Sequence, residues 1–239
     1  WLAASAEGVP AGRWKDLAMK ECLFGLVFAL SLAASGENYQ QAADRFSQDI
    51  RSRPRAWQSY RGRALAYVGL GMPKEALTDL TAALALQPRN AKILAERSQV
   101  FTRLGDNQKA LADIEAAVAL QPGAAPYFAR RAEVHNDLNL HQQAVEDVAR
   151  ALSLDPNLAQ AYVARSLALG ELKDLSGALH DANRAIELNP DLGKAYAVRA
   201  RAYRLQGNTE KAEVDLNQAI ALDPESLFIW LDRGRLYEA

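Results

Sequence analysis

Prolines recur in this chain at a fixed 34-residue interval, and no other feature constrains the fold as strongly. The series comprises Pro54, Pro88, Pro122, Pro156, Pro190 and Pro224, six of the nine prolines in the sequence. No insertion or deletion separates its members. A fixed period of this length indicates a repeat architecture, in which each repeat is one supersecondary unit that packs on its neighbours.

Other positions repeat in phase with the prolines and alternate between small and large side chains. Small residues form three columns, which are Ala64, Ser98, Ala132, Ser166, Ala200 and Gly234; Ala76, Ala110, Ala144, Ala178 and Ala212; and Ala83, Ala117, Ala151, Ala185 and Ala219. Large apolar residues form a fourth column, Tyr60, Leu94, Phe128, Tyr162, Tyr196 and Trp230. A small side chain lets a facing bulky one settle between the ridges of a helix, so these columns predict closely crossing helices.

The residue pattern of each 34-residue unit predicts a helical hairpin. Apolar residues recur three and four positions apart in two stretches, which is the spacing of one face of an α-helix. Between the stretches lie the turn positions Gly71, Gly105, Asn139, Lys173 and Gly207. A leucine precedes every proline of the series except Pro54 by two residues, and the proline cannot continue a helix because it lacks an amide proton and has a fixed φ.

These columns resemble the tetratricopeptide repeat family, whose 34-residue period and small, aromatic, alanine and proline positions they match. The resemblance implies an all-α fold, a right-handed superhelical solenoid of helix-turn-helix units. It places five complete repeats at 55–224 and the first helix of a truncated sixth repeat at 225–239. Residues 37–54 are then the second helix of a degenerate repeat, preceded by an apolar helical segment at 1–36. His135 and Leu169 depart from the family pattern at positions where other repeats carry an aromatic residue.

Two charged columns run in register along the repeats. They are Arg63, Arg97, Arg131, Arg165, Arg199 and Arg233, and Asp79, Asp113, Asp147, Asp181 and Asp215. Each aspartate follows an arginine at a 16-residue spacing, which puts the arginine on the first helix and the aspartate on the second. Since a guanidinium fork matches a carboxylate, this spacing predicts a ladder of ion pairs. A constellation repeated in every unit indicates a structural device, and our hypothesis is that it fixes helix order and repeat spacing more than it adds stability.

Residues 22–36 carry no charge, but this run is shorter than the roughly 20 apolar residues that a membrane-spanning helix needs. It is either a packed helix or the hydrophobic region of a secretory signal. Met19 and Lys20 before it and the small residues Ala33 and Ser35 support a signal, whereas the stretch 1–18 upstream of Met19 favours a packed helix. We favour the packed helix and a cytoplasmic location. The protein would be exported if residues 19–36 act as a signal sequence.

The two ends of the sequence suggest a piece of a longer chain. The first residue is Trp1, and the last residues fall inside the first helix of a sixth repeat. That helix would offer apolar side chains with no second helix to cover them, namely Leu227, Trp230, Leu231, Leu236 and Tyr237. A solenoid normally closes with a polar-faced cap. We therefore expect missing chain, a partner or a second copy to contact residues 225–239.

Composition and residue types argue against catalysis, metal binding and nucleic-acid binding. Lys and Arg number 28 against 29 Asp and Glu, so clustered positive charge of the kind that displaces counterions from phosphates is not expected. Cys22 is the one cysteine, and the three histidines are His135, His141 and His180. The sequence contains no glycine-rich phosphate loop and no nucleophile elbow. We expect no catalytic residue, no cofactor and no metal site.

Binding is the remaining activity, and the resemblance implies a concave groove lined by the first helix of each repeat. The groove positions of the family correspond here to Gln58, Arg61, Lys92, Gln99, Arg103, Glu133, Asn136, Gln160, Lys194, Arg201 and Arg204. Some relatives clamp the C-terminal carboxylate of chaperone peptides with Lys, Asn and Arg from three repeats. The residues here do not reproduce that clamp, which argues against a chaperone tail as ligand.

The predicted groove alternates in charge, from basic to acidic and back to basic. The residues that set this order are Arg61, Lys92 and Arg103, then Glu133 and Asp137, then Lys194, Arg201 and Arg204. The sequence therefore predicts a noncatalytic interaction scaffold for an extended or helical peptide or partner protein with acidic residues at its ends. Two alternatives stay open: a regulatory or substrate-recruiting arm of a larger enzyme, and an exported assembly factor.

Overall fold

The computed structural model describes residues 37–224 and 226–237, in which all regular secondary structure is helical. The helices are α1 (Tyr39–Ser52), α2 (Trp57–Gly69), α3 (Pro73–Leu86), α4 (Ala91–Arg103), α5 (Asn107–Leu120), α6 (Ala125–Asp137), α7 (His141–Leu154), α8 (Ala159–Glu171), α9 (Leu175–Leu188), α10 (Gly193–Leu205), α11 (Thr209–Leu222) and α12 (Leu227–Tyr237). The predicted all-α class is confirmed. The interpretations of residues 1–36 lie outside the described residues.

The chain divides into two compact units. Unit 1 ends at Gly105 and contains α1–α4, and unit 2 begins at Asp106 and contains α5–α12. Within each unit every helix packs on the next one along the chain. In unit 2 the first helices of successive repeats, α6, α8, α10 and α12, also pack on one another. This arrangement sets the polar residues of neighbouring first helices side by side.

The predicted small columns form the contacts between helices. Every alanine of the two second-helix columns is fully buried, and the first-helix column from Ala64 to Ala200 is at most 2% exposed. Ser166 of that column donates a hydrogen bond of 2.8 Å to the carbonyl oxygen of Ala178. Its helix α8 therefore lies close against the backbone of α9, as the small side chains predict.

The five turn positions of the sequence adopt the left-handed conformation. Gly71, Gly105 and Gly207 have φ of 70° to 79°, and Asn139 and Lys173 have φ of 59° and 69°. Glycine takes this conformation without steric cost and asparagine tolerates it, but for a lysine the close approach of its Cβ to the backbone costs about 1–2 kcal/mol. Lys173 is therefore the strained turn of the series.

We expect Lys173→Gly to raise the free energy of unfolding by about 0.5–1 kcal/mol, because relief of the strain outweighs the added freedom of the unfolded chain. Urea unfolding followed by circular dichroism measures the change. Lys173→Ala is the matched control, since it also removes the side-chain charge but keeps a Cβ at φ 69°. Equal stability of the glycine and alanine variants would contradict the prediction.

Four pairs of the predicted ladder have both members in one unit, and all four form. Arg63 and Arg199 each bind their aspartate through two hydrogen bonds of 2.7 Å, from Nε and Nη2 to the two carboxylate oxygens. Arg165 binds Asp181 at 2.5 and 2.8 Å in the same way, and Arg131 binds Asp147. The paired aspartates are nearly fully buried. The predicted ion pairs are confirmed at these positions.

The arginines of the ladder also reach backward to the preceding repeat. Nη1 of Arg63 donates to Ser47 Oγ at 3.1 Å, and Nη1 of Arg199 donates to Asn183 Oδ1 at 2.8 Å. Both acceptors precede their arginine at the same 16-residue spacing. Each of these two guanidinium groups therefore joins its own first helix to the second helices on both sides.

His135 shares an aspartate of the ladder. It occupies an aromatic position of the first helix, is 9% exposed, and places Nδ1 2.9 Å from Asp147 Oδ2. Asp147 thus faces both the Arg131 guanidinium and the His135 imidazole, whereas Asp181 in the next repeat pairs with Arg165 through two hydrogen bonds.

The terminal helix α12 differs in part from the expectation. Trp230, Leu231 and Tyr237 are exposed as predicted, but Leu236 is only 4% exposed, so its prediction as an uncovered side chain is wrong. Leu236 packs with Ile229 into a cluster that includes Ala197 and Leu216 of the preceding hairpin. One side of α12 is therefore already anchored to unit 2.

Candidate peptide-binding faces

The predicted groove residues lie on the polar sides of the first helices. We call the polar sides of α2 and α4 together the unit 1 face, and the polar sides of α6, α8, α10 and α12 together the unit 2 face. Four of the residues are exposed, namely Gln58, Lys92, Arg103 and Lys194. Six are half-buried, namely Arg61, Gln99, Glu133, Gln160, Arg201 and Arg204, and Asn136 is buried.

The centre of the unit 1 face is an ion pair between successive first helices. Arg61 on α2 donates from Nε to Glu96 Oε2 at 2.7 Å and from Nη2 to Oε1 at 2.5 Å. The Glu96 side chain is 2% exposed. Burial raises the pKa of Glu96, although the positive charges of Arg61 and Lys92 lower it. The pair compensates much of the positive charge that the sequence predicts at Arg61.

Arg103 supplies positive charge near the end of the unit 1 face. It is exposed in the last turn of α4 and pairs with no carboxylate among the described residues. Lys92 is exposed at the start of the same helix, one turn before Glu96. Two exposed cations, Lys92 and Arg103, therefore lie at the two ends of α4, whereas Arg61 is paired with Glu96.

The acidic part of the unit 2 face is built around Glu133. Arg130 Nη1 donates to Glu133 Oε2 at 2.7 Å within α6. Burial raises the pKa of Glu133, but the charges of Arg130 and of Lys194 on α10 outweigh burial and hold the pKa below its ordinary value. Glu133 is therefore an anion in a half-buried setting, and Lys194 lies close enough to act on it.

Asn136 joins two first helices instead of offering a free amide. Its Nδ2 donates to the carbonyl oxygen of Ala164 on α8 at 2.8 Å, and its Oδ1 lies 3.2 Å from His141 Nδ1. Both polar atoms of the side chain are thus occupied. Asn136 holds α6 and α8 at a fixed distance, which is a structural role within the predicted groove.

The basic part of the unit 2 face surrounds a buried carboxylate. Arg201 Nη2 on α10 donates to Glu171 Oε1 on α8 at 2.6 Å. Asp232 on α12 is 2% exposed and accepts a long hydrogen bond of 3.3 Å from Arg235. Burial raises the pKa of Asp232, and the charges of Arg201, Arg235 and Arg204 lower it. The charges of three arginines therefore act on one buried carboxylate, and of the three only Arg235 donates a hydrogen bond to it in the described part of the chain.

Several polar atoms of this region are buried without a hydrogen-bond partner in the described part of the chain. They are Gln160 Oε1, Arg201 Nε, Arg204 Nε and Asp232 Oδ2. Each such atom costs about 1–3 kcal/mol because it has lost water and gained no partner. The set contains two donors and two acceptors, which is the combination that the N–H and C=O groups of a peptide backbone can satisfy.

Sequence reasoning missed the acidic residues that organise these faces. Glu96 and Asp232 occupy the same repeat position, two residues before the small first-helix column, and Glu171 ends α8. The signal was present as charged residues at groove-facing repeat positions. The sequence did not reveal the pairing, because Glu96 lies 35 residues after Arg61 and Glu171 lies 30 residues before Arg201. Neither pair recurs from repeat to repeat.

The remaining candidate chemistry finds little support in the described residues. No group of three or more His, Cys, Asp and Glu side chains converges as a metal site within 37–224 and 226–237. His180 is exposed on α9, whereas His135 and His141 contact Asp147 and Asn136. Among the helices that the structure describes, none is both long enough and apolar enough to span a membrane.

Solved structures with the same fold include several repeat proteins. YrrB, described as a TPR protein with an unusual peptide-binding site, is 21% identical over 81% of this chain and all of its own, with a TM-score of 0.53. TTC0263, a thermophilic TPR protein of Thermus thermophilus, is 20% identical over 77% of this chain and all of its own, with a TM-score of 0.68. A tetratricopeptide repeat protein from Parabacteroides merdae ATCC 43184 is 18% identical over 94% of this chain and 86% of its own, with a TM-score of 0.70. At these identities the likeness establishes the fold. A search of curated protein sequences found no match.

Family models described as tetratricopeptide repeat match nearly all of the repetitive sequence. One matches residues 26–91, 62–125 and 96–159, a second matches 159–192, and a third matches 193–236. The first model alone covers more than half of the chain, and the matches follow one another through the helices described above. The chain therefore belongs to the tetratricopeptide repeat family, whose members are typically noncatalytic scaffolds for protein or peptide partners.

Proposed function

We propose that the chain is a noncatalytic scaffold that binds an extended or helical peptide segment along the polar faces of its first helices. The observation that carries the proposal is the set of unpaired buried atoms on the unit 2 face, Gln160 Oε1, Arg201 Nε, Arg204 Nε and Asp232 Oδ2. A bound backbone would satisfy donors and acceptors together. Gln160, Arg201 and Arg204 are half-buried, so their long side chains have room to turn toward a ligand.

The charge of the ligand follows from the exposed and half-buried cations of the two faces. Lys194 is exposed on α10, and Arg204 lies in the last turn of that helix. Arg103 is exposed on the unit 1 face. Carboxylates form strong, charge-assisted hydrogen bonds with such groups. The cations of each face, taken separately, favour acidic residues in a ligand, and we propose that the ligand carries such residues at its ends.

A matched pair of peptides tests this function. We expect a labelled 12-residue peptide with Asp and Glu at both ends to bind at least tenfold more tightly at low salt than the same peptide with Lys and Arg there. Fluorescence anisotropy at 20–50 mM and again at about 300 mM salt measures the preference, which salt should weaken. Equal binding of the two peptides would contradict the proposal.

Two double variants locate the binding surface. Lys194→Ala with Arg204→Ala removes two charges from the unit 2 face and is expected to weaken the acidic-end peptide about tenfold. Lys74→Ala with Arg89→Ala removes the same charge from exposed positions on a second helix and a loop. We expect that control to change binding less than twofold. Equal losses in both variants would mean that net charge, and not the proposed face, drives binding.

A further inference from the structure

The short connections that lead from each second helix to the next first helix change their charge along the chain. Each connection contains a repeat proline, and the residues directly before and after that proline set its charge. In chain order these residues are Arg53 and Arg55, Gln87 and Arg89, Gln121 and Gly123, Asp155 and Asn157, Asn189 and Asp191, and Asp223 and Glu225. The first two connections are therefore positive, the third is neutral, and the last three are negative.

The positive connections lie at one edge of unit 1, which we call the basic edge and define as Arg51, Arg53, Arg55 and Arg89. The first three surround the turn between α1 and α2, the fourth lies in the turn between α3 and α4, and all four are exposed. An ion pair joins α2 to α4, so the turns that precede these two helices are neighbours. Arg53 pairs with Asp49 at 3.2 Å, whereas the other three pair with no carboxylate in the described residues.

The negative connections of unit 2 form a second edge, which we call the acidic edge and define as Asp155, Asp191 and Asp223. The first helices that follow them, α8, α10 and α12, pack on one another, so the three connections lie in a row. Asp155 and Asp191 are exposed, and Asp223 is half-buried. Within 37–224 and 226–237, no Lys or Arg pairs with any of the three.

The helix ends beside these residues do not explain their charges. A helix dipole favours negative charge at the N-terminus and positive charge at the C-terminus. Arg55 and Arg89 lie just before the first turns of α2 and α4, whereas Asp155 and Asp223 are the C-cap residues of α7 and α11. All four have the sign that the nearest helix end disfavours, so they do not add to the stability of these helices.

The turn geometry needs a hydrogen-bond acceptor but no charge. Asp155 Oδ1 accepts a hydrogen bond of 3.0 Å from the backbone N–H of Asn157. One repeat later, Asn189 Oδ1 accepts the same bond of 3.1 Å from Asp191. Since the repeat accepts residues of either sign both before and after the proline, the charges are available for an interaction with another molecule.

We propose that the basic edge of one copy of the chain binds the acidic edge of a second copy. Arginine forms strong, charge-assisted hydrogen bonds in a fork that matches a carboxylate. Each copy has both edges, so the complementary surface is present in the chain itself. Residues 1–36, by contrast, contain three Lys and Arg and three Asp and Glu, which gives them no net negative charge to offer the basic edge. The contact does not depend on peptide binding by the polar faces.

Sedimentation velocity of the full chain at increasing protein concentration measures this association. We expect the parent to self-associate at about 25 mM salt and to do so at least tenfold more weakly at about 300 mM, because salt screens contacts between exposed charges. A parent that stays monomeric at low salt would overturn the proposal, including one that instead binds poly-glutamate or anionic vesicles through the basic edge.

An exchange of charge between the edges makes the test specific. Arg55→Asp with Arg89→Asp makes the basic edge more acidic, and Asp155→Arg with Asp191→Arg makes the acidic edge more basic. The chain itself carries each new residue at the same repeat position, so the fold accepts it. We expect each variant alone to self-associate at least tenfold more weakly than the parent. Their equimolar mixture should associate within about threefold of the parent, because the unchanged acidic edge of the first variant meets the unchanged basic edge of the second.

Matched controls change the same number of charges at the opposite ends of two second helices. Lys74→Asp with Lys211→Asp, and Glu75→Arg with Glu210→Arg, alter exposed residues in the first turns of α3 and α11. We expect each control alone to keep the self-association of the parent within about threefold. Circular dichroism verifies folding, and Asn at the exchanged positions replaces any variant that does not fold. Equal losses in edge and control variants, or no recovery in the mixture, would overturn the proposal.

Discussion

Arg61→Ala is expected to lower the free energy of unfolding of the region around α2 and α4 by about 3–5 kcal/mol at pH 7. The variant leaves the Glu96 carboxylate, which is 2% exposed, without the guanidinium that binds both of its oxygens. A buried charge without its partner retains the full cost of desolvation. Urea unfolding measures the loss, and hydrogen exchange of amides in α2 and α4 shows where it falls.

The loss should shrink as the pH is lowered. Burial already raises the pKa of Glu96 in the parent protein, and removing Arg61 removes one of the charges that lower it. A carboxyl group whose pKa is raised on folding favours the folded state at pH below its unfolded pKa, and this contribution is lost as the pH rises through the folded pKa. We therefore expect Arg61→Ala to approach parent stability near pH 4 and to diverge toward pH 8.

A double-mutant cycle separates the ion pair from side-chain size. Glu96→Gln keeps the shape and removes the charge, and the combination Arg61→Ala with Glu96→Gln should be more stable at pH 7 than Arg61→Ala alone. A pH-independent loss in Arg61→Ala, or no recovery in the double variant, would show that packing and not the buried charge dominates.

Asp147→Asn is expected to cost about 3 kcal/mol, the second largest effect that the structure supports. The carboxylate is 5% exposed, both of its oxygens accept hydrogen bonds from Arg131, and its Oδ2 lies 2.9 Å from His135 Nδ1. An amide can accept hydrogen bonds on only one of the two corresponding atoms. Arg131 is a quarter exposed, so water compensates part of the loss. Thermal and urea unfolding measure the stability, and a crystal structure of the variant measures the spacing between α6 and α7.

Asp181→Asn is the matched control for the histidine, since Asp181 pairs with Arg165 through two hydrogen bonds without a comparable imidazole contact. We expect it to cost less than Asp147→Asn, and we expect His135→Phe to reduce the difference between them. Unchanged unfolding together with unchanged helix spacing in Asp147→Asn would remove the idea that the ladder fixes repeat geometry.

The fold was predictable because every repeat carries the same signals. Pro88 and Pro122 mark helix ends two residues after the last leucine of α3 and α5, and Gly71 and Gly207 mark turns that the backbone forms with positive φ. A departure from the pattern in one repeat, such as His135 or Leu169, does not obscure the prediction because the other repeats keep the pattern. The ladder of ion pairs was predictable for the same reason, because its 16-residue offset recurs.

The polar faces were only partly predictable because their contacts differ between repeats. The repeat position of Glu96 is occupied by Gly62 in the preceding repeat, where the Phe46 ring fills the space that a Cβ would take. Asp232 occupies it in α12, where burial raises its pKa and the charges of three arginines lower it. Such contacts depend on which side chain the adjacent repeat places opposite. The 34-residue period does not predict the identity of that side chain.

The contacts of the ladder arginines restrict which insertions and deletions a chain like this can accept. Arg63 and Arg199 each contact one residue 16 positions ahead and one 16 positions behind, so their contacts reach the adjacent second helices on both sides. Deleting or duplicating one 34-residue unit at equivalent positions preserves these offsets across the junction, whereas a change that is not a whole number of units breaks them. The repeat is thus a unit of recombination, and selection can lengthen or shorten the binding surface by whole hairpins without redesigning the contacts that join them.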